Sequence, residues 1–541
     1  LPGEMLNDAD KGVRGSDGPK GSVYRANLRI PNTGMRLVYA FSGEGTEEYL
    51  PRFTFFGYRY LSITATDDVE IERIETVPVT SVAKSMELGR LETGDETLNK
   101  FISNVYWGQL SNYLSVPTDC PQRDERLGWT ADTQVFAEAG SFNADTAAFF
   151  RKWMRDMRDS VNATGSFSGM APTAQYGARY MRIGWSDAGV IVPYTVWRQF
   201  GDARIVRENW AAMAKYVDHV AATRYDHWTL AKEAGWQYAD WLSFENLESR
   251  SKRGLYEKGP DGKRRLTSEV ITYWNYLGAC YWRYDALLMA QMARGIGDAE
   301  AAAKYAAMAG EALGYLRKNF IDPSDGRLLP IFRSMQAPAV FALKFGLLGD
   351  ERALEETKRE LRRNIAEHDG CLTTGFLGTS FIMDALSENG MSDVAYGLLL
   401  NHRFPSWLYS VDQGATTVWE RWNSYTKKDG FGPVNMNSFN HYAYGAVLAW
   451  MYRVMAGIAA DGKDPGFRTI VMEPKPDRRV GYVKAEYRSA AGLVRSAWRY
   501  EGTKWIWDFE VPEGAKAKVT PPGERVAKSY GPGVHRVVRE F

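Results

Sequence analysis

The hydrophobic positions of this chain follow three successive patterns, and the first one predicts strands. From Tyr24 to about Ser81, apolar and polar residues alternate in short runs separated by glycine and acidic turns: Arg36 to Phe41, Phe55 to Thr64 and Val69 to Val77. Alternation with a period of two is typical of strands with one buried face. The sequence therefore predicts an N-terminal antiparallel β-unit, with fewer strands than a complete sandwich usually has.

After Gly94 the apolar positions recur with a period of about 3.6, which predicts roughly a dozen helices before Gly457. Three junctions between these helices carry a glycine followed by an aspartate: Gly201-Asp202, Gly297-Asp298 and Gly349-Asp350. Glycine suits the left-handed position that ends a helix, and aspartate suits the N-cap of the next one. Successive hairpins without strands between them predict an (α/α)6 toroid, with a superhelical repeat array as the alternative.

From about Gly466 onward the alternation of period two returns, which predicts a C-terminal β-sandwich. The predicted strands are Phe467 to Met472, Gly492 to Tyr500, Lys504 to Val511 and Val534 to Val538. The whole chain is thus expected to be mainly α. We expect a partial N-terminal β-sandwich over residues 1–88, an (α/α)6 barrel over 89–458 and the C-terminal sandwich over 459–541.

Composition narrows the class of ligand. With 67 basic and 66 acidic side chains the chain is almost neutral, which argues against nucleic-acid or membrane-surface partners and favours a neutral ligand. Three cysteines predict free thiols, and the six scattered histidines have no metal-binding spacing, so neither a metal nor another cofactor is expected.

The sequence also bears on location. It has no run of about 18 apolar residues, and its N-terminus is polar and rich in glycine, so we expect neither a membrane span nor a signal peptide. A processed or truncated N-terminus stays open. The sequence assigns neither compartment nor oligomeric state.

One block, DCPQRDERLGWTAD from Asp119 to Asp132, concentrates carboxylates, guanidinium groups and an indole. Cleavage of an acetal between sugars needs a proton for the leaving oxygen and an activated water or a nucleophile, and two carboxylates supply both. Glu125 is the candidate acid in this block. It stands between Asp124 and Arg126, whose charges act on its proton in opposite senses, and the alternative interpretation is a surface ion pair.

A second carboxylate, Glu420, lies between Trp419 and Trp422 in TTVWERWN. Two indoles that desolvate it would raise its pKa towards the working pH of a general base, and the alternative is a structural salt bridge. His441, in NMNSFNHYAYG, is a third candidate site residue. A histidine in such a segment more often caps a helix or packs in the core.

Two further motifs pair an aromatic ring with an acid. GWSDAG contains Trp185 and Asp187, and GWQYADWL contains Trp236, Asp240 and Trp241. Carboxylates bind vicinal hydroxyls and indole faces cover the apolar side of a sugar, but core packing is an equally good explanation of each pair.

Five ordered segments together resemble the α-L-rhamnosidases of glycoside hydrolase family 78. They are DCPQRDERLGWTAD, GWSDAG, ADWLS, WLYSVDQGATTVWERW and MNSFNHYAYGAV. The resemblance covers nearly the whole chain. Its main departure is Ala131, where glycine is usual.

The resemblance implies an inverting exo-glycosidase that hydrolyses terminal α-L-rhamnose, with Glu125 as general acid and Glu420 as general base. Rhamnose hydroxyls would be held by Asp119, Arg123, Asp132 and His441, and the walls near the C6 methyl would be Trp129, Trp185 and Trp241. The expected substrates are rhamnosylated small molecules or oligosaccharides. The alternatives are another (α/α)6 exo-glycosidase, a polysaccharide lyase and a non-catalytic sugar-binding protein.

Overall fold

The computed structural model describes residues 1–29, 35–173, 180–225, 236–245, 256–260 and 262–540. Among these residues the α-helices, numbered α1 to α13 in chain order, are Glu96–Asn112, Thr130–Asn143, Ala147–Asp159, Ala188–Phe200, Arg204–Thr223, Ser268–Ile296, Ala299–Phe320, Gln336–Lys344, Glu351–Glu367, Phe376–Glu388, Ser392–Leu399, Trp407–Asp412 and Val447–Trp450. The protein is mainly helical, with several β-sheets. No helix in the described ranges is both long and apolar enough to cross a membrane.

Six helical elements contact one another in a closed cycle. The order is α2, α4, α6, α8, α10 and the short 3-10 turn Ala443–Ala446 that leads into α13, which packs back on α2. The remaining long helices pack against this cycle as the other members of sequential pairs; α6 and α7 form one such pair. The residues just before α2 and those before α13 therefore lie near the same part of the cycle.

The glycine-aspartate junctions were only partly predicted correctly. Gly297 has a φ of 84° at the end of α6, and Asp298 caps α7 by accepting from the Ala301 amide, which confirms that prediction. Gly201 likewise ends α4 with a φ of 73°, but the N-cap of α5 is Ala203 rather than Asp202. At the third junction Asp350 caps α9, while the left-handed glycine is Gly346 instead of Gly349.

The strands that the structure describes are numbered β1 to β19 in chain order. They are Pro2–Gly3, Met5–Leu6, Val23–Tyr24, Tyr60–Leu61, Gly89–Thr93, Tyr113–Leu114, Val116–Pro117, Tyr256–Lys258, Arg264–Leu266, Tyr425–Thr426, Gly430–Phe431, Ala459–Ala460, Thr469–Met472, Tyr482–Ser489, Gly492–Glu501, Lys504–Val511, Lys516–Val519, Lys528–Tyr530 and Gly533–Glu540.

Two sheets dominate the C-terminal region. One has the order β19-β16-β15-β14-β5 and is antiparallel throughout, and the other has the order β12-β13-β17-β18. The four predicted C-terminal strands are confirmed as β13, β15, β16 and β19, whereas β12, β14, β17 and β18 were not predicted. The edge strand β5 comes from Gly89–Thr93, so the segment that opens the helical region is also part of the C-terminal sheet.

The strands predicted in the N-terminal region were mostly wrong. Of the three predicted runs, only Tyr60–Leu61 forms a strand, paired with Pro2–Gly3. A strand needs a hydrogen-bonded neighbour, and among the described residues the other runs have no ladder partner. Their apolar side chains are consequently exposed; Val38 is 75% and Ile74 is 58% exposed.

A small apolar cluster ties the N-terminal residues to the loop that carries Glu420. Tyr24 stacks on Phe431 with ring centroids 3.9 Å apart, and Trp419 and Phe439 complete the cluster. This contact places Tyr24 beside the loop that carries Glu420.

Candidate active site

The block Asp119 to Asp132 forms a closed loop that leads into α2. At its base the Asp119 amide donates to the Leu127 carbonyl at 2.9 Å, and the Leu127 amide donates back to Asp119 Oδ1 at 2.9 Å. Gly128 then passes so close to Ala171 that an added Cβ would lie 2.1 Å from the Ala171 carbonyl oxygen. A side chain cannot fit there, so glycine fixes the path of the loop.

Arg123 lies at the centre of the site and is only 1% exposed. Its Nη2 donates to Glu420 Oε1 at 3.3 Å and its Nη1 donates to Glu420 Oε2 at 3.1 Å, and Nη2 also forms an ion pair with Glu125 Oε2 at 2.8 Å. Asp119 Oδ2 is 3.6 Å away. One buried cation therefore joins the two candidate catalytic carboxylates, Glu125 and Glu420. They belong to separate motifs, 295 positions apart in the sequence.

The charges around Arg123 shift the pKa values of the neighbouring carboxylates in opposite directions. Burial alone would raise the pKa of Glu420, but Arg123 and His441 outweigh it and the net pKa is lowered. The prediction of a raised pKa for Glu420 was therefore wrong, because the sequence did not reveal its guanidinium partner. For Asp119, burial and the charge of Glu125 prevail over Arg123 and raise the pKa to about 7.

Glu125 is held by three side chains. Trp129 Nε1 donates to Oε1 at 2.9 Å and Arg29 donates to Oε2 at 2.7 Å, while Arg123 forms an ion pair with Oε2 at 2.8 Å. The Glu125 side chain is 10% exposed, so it lies at the rim of the cluster, whereas Glu420 is 4% exposed at its floor. Asp124, its neighbour in sequence, is exposed.

His441 and Asp132 form a pair next to Glu420. The Ala443 amide lies 3.2 Å from His441 Nδ1, and His441 Nε2 is paired with Asp132 Oδ1 at 2.9 Å. Burial lowers the pKa of His441, but Asp132 reverses this and the net pKa is raised. The His441 amide donates to the Val418 carbonyl at 2.7 Å, and this backbone contact fixes the imidazole beside the Glu420 segment.

The three predicted tryptophans meet at a residue that the sequence analysis missed. Tyr238 has ring centroids 5.7 Å from Trp129, 4.9 Å from Trp185 and 5.1 Å from Trp241, and the Arg182 guanidinium lies 4.6 Å from its ring centroid. Tyr238 belongs to the motif GWQYADWL, so an aromatic three positions before Trp241 was the available signal.

Trp236, the other tryptophan of the motif GWQYADWL, lies in a different set of aromatic contacts. Its ring is 6.4 Å from Tyr256 and 5.5 Å from Trp274. The structure thus brings Trp241 together with Trp129 and Trp185, and it places Trp236 elsewhere.

Asp187 and Asp240, the acids of the two aromatic-acid motifs, serve the scaffold. Asp187 accepts hydrogen bonds from the Gly184 amide and from the hydroxyls of Tyr216 and Tyr225. All these partners are in the core, so the carboxylate has no free direction for a ligand.

Asp240 accepts from the amides of Gly375 and Gly378, each at 2.8 Å, at the N-terminus of α10. Core packing is therefore the correct alternative for the acids of both motifs, while their tryptophans Trp185 and Trp241 join the aromatic cluster.

Two residues from the N-terminal region also enter the site, and no sequence motif indicated them. Arg29 contacts Glu125, and Glu4 is buried beside the Glu420 segment, where its Oε2 accepts from Asn27 Nδ2 at 2.8 Å and from the Phe439 amide at 3.1 Å. Burial raises the pKa of Glu4 to about 7.

Asp119, Cys120 and Glu125 are a group whose ligand atoms lie within 4.8 Å of one another. Arg123 already supplies the positive charge there, and burial keeps the Cys120 thiol protonated by raising its pKa. This donor set therefore fits a guanidinium better than a metal ion.

Three family models match consecutive parts of the chain. The bacterial alpha-L-rhamnosidase concanavalin-like domain matches residues 2–82, the bacterial alpha-L-rhamnosidase six-hairpin glycosidase domain matches 86–455, and the bacterial alpha-L-rhamnosidase C-terminal domain matches 457–536.

Individual proteins give the same result. The chain is 34% identical to an alpha-L-rhamnosidase of Formosa agariphila over 505 residues, which are 93% of this chain and 51% of the relative. It is 34% identical to one of Streptomyces avermitilis over 95% of this chain and 46% of that one. The chain thus spans about half the length of the curated relatives it matches.

Two solved structures are similar over the full chain. An alpha-L-rhamnosidase of Streptomyces avermitilis complexed with L-rhamnose has a TM-score of 0.81 and 29% identity, covering 100% of this chain and 50% of that one. The native enzyme of Aspergillus terreus has a TM-score of 0.85 and 26% identity, covering 99% and 58%.

Proposed function

This chain belongs to the bacterial alpha-L-rhamnosidase family, and from that premise we propose that it is an exo-glycosidase that hydrolyses terminal α-L-rhamnose by inversion. The observation that carries the proposal is the buried Arg123, which holds Glu125 and Glu420 in one site. Two carboxylates on one site are the minimum that acetal hydrolysis requires.

Glu420 is the general base in this proposal. Its lowered pKa keeps it ionised at neutral pH, so it can accept a proton from the water that attacks the anomeric carbon. Arg123 and His441 both stabilise this charge, and their loss would leave a buried carboxylate that favours protonation.

Glu125 is the general acid, which gives its proton to the oxygen between rhamnose and aglycone. Its position at the rim of the cluster suits this role, because the leaving group must depart towards solvent. In the complex with substrate the carboxyl group has to carry a proton, and Oε1, with one contact from Trp129, is the oxygen with room for it.

The remaining site residues bind the sugar. Asp119, Arg123, Asp132 and His441 offer charged donors and acceptors for the ring hydroxyls. A deoxy-sugar also has an apolar methyl group, and the wall of Trp129, Trp185 and Trp241 around Tyr238 matches it.

We further propose that the cycle of six helical elements is the inner ring of an (α/α)6 barrel. The closed order of contacts and the sequential outer helices support it. The corresponding domains would be residues 1–88, 89–458 and 459–541, the first and last being β-sandwiches. The expected substrates are rhamnosylated small molecules or oligosaccharides.

The two carboxylates lie closer together than those of a typical inverting pair. Inverting pairs usually have carboxyl groups about 6.5 to 9.5 Å apart. Because Arg123 Nη2 contacts both side chains, the nearest oxygens of Glu125 and Glu420 are closer together than that range. Inversion therefore rests on the family resemblance, and the product anomer decides it.

Release of p-nitrophenol from p-nitrophenyl α-L-rhamnopyranoside tests the proposed activity. We expect turnover of this substrate and none of the matched β-D-glucopyranoside. A polysaccharide lyase needs a uronate, so rhamnogalacturonan oligomers are assayed in parallel, and from them a lyase would form an unsaturated uronate that absorbs in the ultraviolet. That product, or binding of rhamnose without release of p-nitrophenol, would refute the proposal.

A further inference from the structure

Asp285 is a second carboxylic acid in the core beside Asp187, and no sequence motif indicated it. It lies on α6 and is fully buried. Its carboxyl group is in hydrogen-bonding contact with that of Asp187, the residue just before α4. Two acids from different helical elements therefore meet in the interior of the helical region.

The hydrogen-bond donors around this pair all serve Asp187. Its Oδ2 accepts from the Gly184 amide at 2.6 Å, and its Oδ1 accepts from the hydroxyls of Tyr216 at 2.9 Å and Tyr225 at 2.6 Å. In the part of the chain that the structure describes, no N–H or O–H group donates to either oxygen of Asp285. Asp285 is thus left with Asp187 as its partner.

No cation among the described residues compensates the two acids. Neither Asp187 nor Asp285 forms an ion pair with a described lysine, arginine or histidine, and the titratable groups that face them are tyrosines: Tyr216, Tyr225, Tyr281 and Tyr284. Burial and the charge of Asp187 raise the pKa of Asp285 well above its usual range. Two adjacent carboxylates that lack a cation do not both stay ionised in a dry interior, so one of them holds a proton.

The donors decide which of the two acids carries the proton. Asp187 accepts three hydrogen bonds, which stabilise its ionised form. Asp285 receives none from the described residues, so its carboxyl group gains a hydrogen bond only by donating one. The arrangement is therefore that of a protonated Asp285 donating to an ionised Asp187.

The pair holds the turn that carries Trp185. The Gly184 amide donates to Asp187 across Trp185, and the Gly184 carbonyl accepts from Gln134 Nε2 at 3.0 Å. The Trp185 indole in turn lies 4.9 Å from the Tyr238 ring in the aromatic cluster of the candidate site. The position of this indole thus depends on where Asp187 is held.

We propose that Asp285 is a positioning residue: it shares its proton with Asp187, and the acid pair fixes the turn so that Trp185 forms the wall for the methyl group of rhamnose. This inference rests on the proposed function, since it concerns the sugar pocket of the same site. It gives a buried acid of the scaffold a part in the recognition of a deoxy-sugar.

Infrared spectroscopy tests for the proton. A protonated carboxyl group has a carbonyl stretch above the amide band, whereas a carboxylate has none there. The spectrum of the wild type minus that of Asp285→Asn at neutral pH should contain this band, because other buried acids are common to both proteins and cancel. A calcium chelator should change neither the spectrum nor the melting temperature. Absence of the band, or a melting temperature that falls on chelation, would show that a cation joins the acids and would overturn the inference.

Discrimination between two substrates tests the positioning role. p-Nitrophenyl α-L-lyxopyranoside has the ring of the rhamnoside without its methyl group. The wild type should prefer the rhamnoside in kcat/KM by roughly 10- to 200-fold, since one carbon in an apolar pocket discriminates by that much. Asp285→Asn keeps a donor and should retain this ratio. In Asp285→Leu the donor is lost, and the ratio should fall by about threefold or more towards the value expected without the wall.

Tyr284→Phe is the matched control on the same helix. Tyr284 is the neighbour of Asp285, but its ring packs on Phe345 and Phe381, so the ratio should not change. If the Leu variant does not fold, Tyr225→Phe, which removes one donor from Asp187, should lower the ratio in the same direction.

An unchanged ratio in a folded Asp285→Leu variant would overturn the positioning role, as would an unchanged ratio in Tyr225→Phe where the Leu variant is unfolded. A ratio that falls equally in Tyr284→Phe would also count against it. Failure to release p-nitrophenol from the rhamnoside would refute the proposed function instead, and the infrared result does not depend on that assay.

Discussion

Two sets of buried acidic residues in this protein look alike in sequence and differ in their partners. Asp187 and Asp240 accept from backbone amides and tyrosine hydroxyls that belong to the core. Glu125 and Glu420 accept from guanidinium groups and an indole, which are side chains at a common centre.

The difference shows what separates a scaffold carboxylate from a candidate catalytic one. A carboxylate whose lone pairs are all directed at backbone amides or buried tyrosine hydroxyls of the core fixes the scaffold and has none left for a ligand. A carboxylate held by guanidinium and indole side chains at a common centre can exchange one partner for a substrate. The comparison therefore predicts activity losses for the second set and stability losses for the first.

The largest expected effect is on catalysis. Glu420→Gln and Glu125→Gln should each reduce kcat by about a thousandfold or more, since removal of a general acid or base costs roughly 10² to 10⁴. Their dependence on the leaving group should differ. Glu125→Gln should retain more activity on the p-nitrophenyl substrate than on a disaccharide, because p-nitrophenolate needs no proton, whereas Glu420→Gln should fail on both.

Equal losses on both substrates in Glu125→Gln would contradict its role as the acid. Asp124→Asn is the matched control within the same loop, because its side chain is exposed. Thermal unfolding of each variant shows whether the fold is intact.

The second effect is on stability. Asp240→Ala should lower the free energy of unfolding by about 3 to 5 kcal/mol, because the buried amides of Gly375 and Gly378 lose a charged acceptor. Chemical denaturation followed by tryptophan fluorescence measures the change. A variant as stable as the wild type but inactive would reverse the assignment and make Asp240 a ligand residue.

Glu4 sharpens the comparison, because it has features of both sets: a backbone amide donates to Oε2, and Oε1 has no partner among the described residues. Its pKa is raised from 4.5 to about 7, so the folded state holds the proton more tightly. The sign follows: its contribution to stability is full below about pH 4.5 and is lost as pH rises towards 7.

Between pH 5 and 8 the wild type should therefore lose up to about 3 kcal/mol more stability than Glu4→Gln, which cannot ionise. Melting temperatures of both proteins across this range measure the difference. Other groups with a raised pKa, such as Asp119, contribute equally to both proteins and cancel in the comparison. Parallel curves would show that Glu4 is already charged in the folded protein.

The smallest effect is expected at Tyr238. Tyr238→Leu should raise KM for the p-nitrophenyl rhamnoside about threefold to tenfold with little change in kcat, because the indoles around it lose their aromatic neighbour. Tyr238→Phe keeps the ring and should stay near the wild type. A loss of kcat in the Phe variant would give the hydroxyl a role that this account does not include.

Much of the fold was predictable, because helices and C-terminal strands leave a periodic apolar pattern. The N-terminal runs did not form strands, since alternation reports which side chains are apolar and not whether a partner strand exists. In the site, the motif residues Glu125, Glu420, Asp132 and His441 converge as expected.

Arg29 and Glu4 were not predicted, for a physical reason. Arg29 and Glu4 reach the site through packing between distant segments, and a single sequence does not encode such contacts in any spacing. The lowered pKa of Glu420 was missed likewise, because Arg123 lies 297 positions away.

The central claim is that Glu125 and Glu420 act as an acid and base pair that inverts the anomeric centre. Proton NMR during hydrolysis of p-nitrophenyl α-L-rhamnopyranoside tests it directly, because the first anomer formed is visible before mutarotation. The account predicts that β-L-rhamnose appears first and the α-anomer follows slowly. Initial release of α-L-rhamnose would mean retention and would contradict the assignment of Glu420 as a base that activates water.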